Sequence, residues 1–181
     1  MAIRIVGILG LLSLVQPLAP AAVAATRPAD LSGAFRLVEG QDAALEQAID
    51  AAVAPMSLVA RPFARNRLRQ ITTPYGRITI DSRGDAIVMV ADPRAPVRTP
   101  VSGAEVPWRR EDGELFSVSG TWDGTTFEQR FASGTGRRIN RYRLGPDGGK
   151  LTIDVTIFGG GLPGTMTYQL VYERAASAAS D

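Results

Sequence analysis

Leu151-Thr152-Ile153-Asp154-Val155-Thr156-Ile157-Phe158 decides the fold. Leu151, Ile153, Val155 and Ile157 share one face of an extended chain, and Thr152, Asp154 and Thr156 share the other. Helical winding would scatter both classes around the axis, so the stretch reads as a strand with one dry face. The same alternation recurs in Thr165–Arg174, where Met166, Tyr168, Leu170 and Tyr172 alternate with Thr167, Gln169 and Glu173. It recurs again in Thr125–Ala132, where Phe127, Gln129 and Phe131 alternate with Thr126, Glu128 and Arg130.

Working outward, period-two segments follow one another from Tyr75 to Arg174, separated by turn residues every eight to twelve positions. Strands are predicted over Leu31–Val38, Gly76–Asp81, Asp85–Ala91, Val97–Ser102, Glu105–Arg110, Glu114–Gly120, Thr125–Ala132, Arg137–Leu144, Leu151–Phe158 and Thr165–Arg174. Asp112-Gly113 and Asp123-Gly124 are two-residue hairpin signals. The fold class is therefore mainly β, an antiparallel up-and-down barrel of about ten strands, because a meander of that length curls and closes to remove its edges.

Only one part of the chain has helical spacing, and it lies directly after the first strand. Leu45, Ile49, Ala52, Val53 and Met56 form an apolar stripe that Asp42 caps and Pro55 ends. A second helix is predicted from about Ser57 to Gln70, interrupted by Pro62, with Arg61, Arg65 and Arg69 four apart on one face. This helix-turn-helix insertion is expected to lid the barrel. Its arginine stripe is a candidate for peripheral membrane contact.

Arg4 precedes an apolar run from Ile5 to Val15, followed by Pro17, Pro20 and the small-residue stretch Ala21–Ala25. The run falls short of the roughly 20 residues a spanning helix needs, so residues 1–25 are expected to be a secretory signal cleaved near Ala24 or Ala25. Residues 26–175 then form one domain, and 176–181 are expected to be a disordered tail. The protein is expected in the periplasm or outside the cell.

The formal charge is +2 and the isoelectric point about 9.4, with Lys150 the sole lysine. Arginines that never titrate set that value, so nucleic-acid binding is not implied. The chain has no cysteine and no histidine, which excludes disulfides, imidazole-ligated metal or haem, and the commonest general base. Ser117 and Ser119 have no base to activate them. Glu111, Asp112 and Glu114 flank a turn. Gly159-Gly160-Gly161-Leu162-Pro163-Gly164 precedes a strand, so it is a connection rather than a phosphate loop. Asp81, Asp85 and Asp92 lack calcium-loop spacing. No catalytic constellation, metal or cofactor is expected.

An eight- to ten-stranded barrel is wide enough to hold a small ligand. Inward phenols and an amide among apolar side chains suit an amphipathic guest, which makes Phe127, Gln129, Tyr142, Met166, Tyr168 and Tyr172 the candidate ligand-binding residues. The expected function is a monomeric carrier of a small hydrophobic or amphipathic molecule. The alternative is an envelope structural or interaction module whose barrel is filled by side chains, and a third reading is an isomerase or cyclase using tyrosines and acids.

Leu31-Ser32-Gly33-Ala34-Phe35-Arg36-Leu37 resembles the opening strand of the calycin superfamily, and Leu170-Val171-Tyr172-Glu173-Arg174-Ala175 resembles its closing strand. The element order is more similar to the fatty-acid-binding proteins than to the lipocalins. The stretch from Tyr142 to Arg174 is also similar to secreted bacterial proteins with no assigned role. The resemblance implies a hydrophobic ligand and a carboxylate clamp of the form Arg-x-Tyr. Here Phe35 stands where the family places tryptophan, and Leu170 where the clamp has arginine, although Tyr172 is kept. Arg130, Arg138 and Arg141 are the candidates for a substitute arginine, their inward or outward facing left open.

Overall fold

The computed structural model describes residues 30–91 and 94–176. The expected leader and the last five residues of the expected tail lie outside the described residues. Ten strands form a single antiparallel sheet. They are β1 (Gly33–Leu37), β2 (Arg77–Asp81), β3 (Ala86–Val90), β4 (Val97–Pro100), β5 (Val106–Arg109), β6 (Leu115–Asp123), β7 (Thr126–Ala132), β8 (Gly136–Leu144), β9 (Lys150–Gly159) and β10 (Met166–Arg174). Helices α1 (Asp42–Val53) and α2 (Ala60–Thr72) lie between β1 and β2. The sheet order, β4-β3-β2-β1-β10-β9-β8-β7-β6-β5, brings the first and last strands together and leaves β4 and β5 as facing edges.

The alternation predicted in the sequence becomes the barrel's interior. Register aligns inward residues into rungs around the bore: Val118, Phe131, Arg138, Ile157 and Met166 in the first, and Gly120, Gln129, Asn140, Val155 and Tyr168 in the second. A third holds Trp122, Phe127, Tyr142, Ile153 and Leu170. Successive rungs are about 6.6 Å apart along the strands. The first rung lies toward the helices and the four turns that join β3–β4, β5–β6, β7–β8 and β9–β10. This is the lid end.

Closure rests on Phe35, which is fully buried where β1 meets both β2 and β10. The Arg174 guanidinium covers its ring at 4.8 Å and donates to the Ser32 and Gly148 carbonyls at 2.9 and 2.8 Å. Gly33, with φ +151°, leaves the space that Arg174 occupies. The two segments that carry the calycin resemblance are thus in direct contact.

The helices differ from the sequence reading in two ways. Asp42 is the first residue of α1 rather than its cap, and the capping position holds Gln41. The Gln41 side chain is engaged elsewhere: Nε2 donates to the carbonyls of Val38 and Val171 at 2.7 and 2.8 Å, and Oε1 accepts from the Val171 amide at 2.6 Å. It pins the lid's entry to β10. Pro62 does not interrupt α2, because it sits in the first turn, where an amide has no intrahelical acceptor to lose.

Strand β6 also runs through Gly120 to Asp123 instead of stopping at the glycine. A Cβ at Gly120 would meet Thr99 Cγ2 at 2.7 Å and Phe127 Cε2 at 2.8 Å, so glycine here is a packing requirement. The Gly103 amide bonds the Gly120 carbonyl at 2.9 Å and ties the β4–β5 turn to β6. The edges themselves carry Pro100 and Pro107, which cannot donate to a ladder. The barrel is therefore nearly, not fully, closed. Gly120→Ala is expected to cost about 1–3 kcal/mol by overpacking, read as a lower urea midpoint at unchanged slope.

Candidate functional site

A cavity of about 200 Å³ lies inside the lid end of the barrel. Met56, Ala64, Leu68 and Ile71 wall it from the helices, and Ile78, Met89, Ile153 and Leu170 from the sheet. Exposed residues such as Arg67, Arg137 and Thr135 also border it, so it opens at that end. It exceeds the roughly 150 Å³ that suffices for a benzene-sized guest and is smaller than the roughly 300 Å³ at which drug-sized pockets begin.

Below this space runs a chain of buried polar groups. Arg138 Nε donates to Asn140 Oδ1 at 2.8 Å, Asn140 Nδ2 to Tyr142 Oη at 3.1 Å, and Tyr142 Oη to Gln129 Oε1 at 2.6 Å. Gln129 Nε2 then donates to Thr99 Oγ1 at 2.6 Å, across to β4. Gln129, Asn140, Tyr142 and Thr99 are all buried, so each must find its partners within the protein, and each does.

Of the six candidate residues, Gln129, Tyr142 and Tyr172 line the cavity. Phe127, Met166 and Tyr168 are buried on the same inward face but do not border it. Phe127 packs on Trp122 and Tyr142, with centroids 5.3 and 6.0 Å apart. Tyr168 Oη is buried without a hydrogen-bond partner.

The arginines left open by the sequence separate cleanly. Arg130 and Arg141 face outward and share Glu128, at 2.5 and 2.6 Å. Arg138 faces the cavity, half-buried, with a long contact of 3.5 Å to the Ile71 carbonyl of α2. Parity was the available signal, since residues 138, 140 and 142 must share a face. No such signal marked Arg67 or the lid's apolar residues as cavity wall. The aromatic cluster of Trp108, Phe116 and Phe131 at the rim, with centroids 5.8–6.3 Å apart, was also missed.

The stripe of Arg61, Arg65 and Arg69 does not face solvent as a free cationic surface. Arg65 pairs with Asp50 at 2.7 Å and Arg69 with Glu46 at 2.6 Å, while Arg61 donates to the carbonyls of Ala54 and Met56. Four-residue spacing put the arginines on one face of α2, and that face meets the acidic side of α1.

All four tyrosines of the chain, Tyr75, Tyr142, Tyr168 and Tyr172, have their phenol pKa raised. Burial is the leading cause in each, and the charge of Arg138 opposes it in each.

No protein-family profile matches the chain, and no curated protein sequence matches it. Solved structures do. A fatty acid transporter, REP1-NXSQ, superposes with a TM-score of 0.52 at 15% identity, over 81% of this chain and 97% of its own. A Schistosoma mansoni fatty acid binding protein in complex with arachidonic acid gives 0.51 at 14% identity, over 81% and 96%. An abundant heat-soluble (SAHS) protein of Ramazzottius varieornatus gives 0.51 at 12% identity, over 80% and 94%. The fold is a calycin-like β-barrel. The calycin resemblance seen at the two ends of the sequence extends through the whole barrel as architecture, with the lid helices in the place the sequence predicted.

A phenol whose pKa is raised on folding contributes stability below its unfolded value, near 10.0, and loses that contribution as pH rises toward the folded value. The barrel is therefore expected to lose stability between about pH 9 and pH 12. Denaturant midpoints across that range, with phenolate absorbance appearing only on unfolding, check this.

Proposed function

We propose that the protein binds or carries a small hydrophobic or amphipathic molecule in its barrel and works in the periplasm or extracellular space. The cavity is the observation that carries this reading. The bore is not packed solid, its wall is mostly apolar, and a half-buried arginine borders it. Proteins of the same fold described as a fatty acid transporter and as an arachidonic acid complex support a lipid-like guest. The export signal read in the first 25 residues supports the compartment. Binding rather than catalysis is favoured because Thr99, Gln129, Asn140 and Tyr142 hydrogen-bond one another, and no nucleophile stands beside a base among the described residues.

The alternative of a module with a filled barrel has the cavity against it. Peripheral membrane contact, once expected of the arginine stripe, is better supported at the lid's tip, where Leu58, Val59 and Phe63 are 81%, 79% and 75% exposed beside Arg61. An apolar tip with adjacent cations suits a bilayer interface.

Two measurements test these readings. Native mass spectrometry of protein purified from its own host is expected to show a copurifying small molecule. Ala64→Trp, which fills the cavity from the lid, should abolish that species while leaving the circular dichroism spectrum intact; retention of the species would count against the cavity as its site. Cosedimentation with anionic vesicles should fall several-fold in Phe63→Ser, and no change would remove the tip from membrane contact.

A further inference from the structure

The cavity is electrically one-sided. Its charged wall residues are Arg67, Arg94, Arg110, Glu114, Arg137 and Arg138, and all lie at the lid end. Arg110 is neutralised by Asp112 and Glu114, each at 2.6 Å, and Arg94 is 3.8 Å from Glu111. Arg67, Arg137 and Arg138 have no carboxylate within 4.0 Å among the described residues. The second and third rungs hold no charged group at all. The side chains of Gln129, Asn140 and Tyr142 are already bonded to one another and to Thr99, and the one unpartnered hydroxyl there, Tyr168 Oη, is neutral.

Arg138 is also held in place. Asn140 fixes its Nε and the Ile71 carbonyl lies 3.5 Å from Nη1, so the guanidinium borders the cavity with no partner for Nη2 among the described residues. Nearby on the rim, the Trp108 ring borders the cavity, while its Nε1 is buried with no hydrogen-bond partner among the described residues. An oriented cation thus lies at the open end, where an anion keeps contact with water, and no charged group lies deeper.

We infer that the ligand is a single-chain anionic amphiphile bound head outward. Its acidic oxygens lie on Arg138 at the lid end, beside the Trp108 ring, and its tail runs inward along Ile78, Met89 and Leu170. Arg67 and Arg137, exposed beside the mouth, attract the head on approach. This deepens the carrier reading and rests on it.

The chain's two tryptophans report the orientation directly, because Trp108 is at the rim and Trp122 in the third rung. Phe116, beside Trp108, and Trp122 are six residues apart on β6, or about 20 Å. The probes are dodecanoate brominated on the carbon next to the carboxylate and dodecanoate brominated on the terminal carbon. Quenching is read at saturation in Trp122→Phe and Trp108→Phe proteins. The first probe should quench Trp108 more strongly and the second Trp122, and the reverse pattern overturns the orientation.

Arg138→Gln should weaken dodecanoate binding about tenfold or more while changing dodecanol binding less than twofold. Retained dodecanol binding also shows that the variant's barrel is intact, and Arg138→Lys should recover part of the loss. Equal weakening of both probes would overturn the assignment of Arg138 and leave the carrier reading standing. Failure of the unmodified protein to bind either probe would remove the carrier reading and this inference together.

Discussion

Pairing β1 with β10 costs chain entropy that only a buried contact can offset, since Phe35 and Arg174 stand at opposite ends of the domain. The fully buried Phe35 ring supplies much of that compensation, and Arg174 seals it from water while satisfying two carbonyls. Everything inside the barrel depends on this closure. Without it the inward rungs would form one greasy face of an open sheet, and the lid would have nothing to cover. Gln41 extends the same junction upward by bonding Val38 just past β1 and Val171 within β10, so the helices are fixed to the barrel at the seam where it closes.

The interior is arranged by how each polar group is satisfied. A barrel of this width must either fill its bore with apolar side chains or balance every donor and acceptor it buries. This one does some of each. Phe127 and the third rung pack the far end, the Asn140–Tyr142–Gln129–Thr99 chain crosses the middle with its partners supplied, and Arg138 tops that chain facing open space. The raised phenol pKa values follow from the same dryness.

Much of the architecture was legible because alternation is a local property. The faces of Leu151–Phe158 and Thr165–Arg174 are written in consecutive residues, and seven of the nine antiparallel pairings join strands linked by turns such as that at Asp112-Gly113. The facing of Arg138 stayed open in the sequence, although it lies two positions from Asn140 and four from Tyr142 and so shares their face. What was not legible came from contacts between elements. The pairing of Arg65 and Arg69 with α1 depends on how two helices cross, and Gln41's role depends on β10, 130 residues away in the chain. Pro62 looked disruptive only because the start of α2 was placed too early. The cavity's boundary, which includes Tyr172 and excludes Tyr168 on the same strand, depends on where the lid rests.

Between β4 and β5 the wall has no backbone ladder. Thr99 reaches β7 through Gln129, and Gly103 reaches β6 through Gly120, but the two edge strands themselves are joined by neither bond. Mechanically the molecule is a split ring rather than a hoop. A load that widens it falls on the Thr99–Gln129 and Gly103–Gly120 bonds beside the slit before it reaches any of the nine hydrogen-bonded joints.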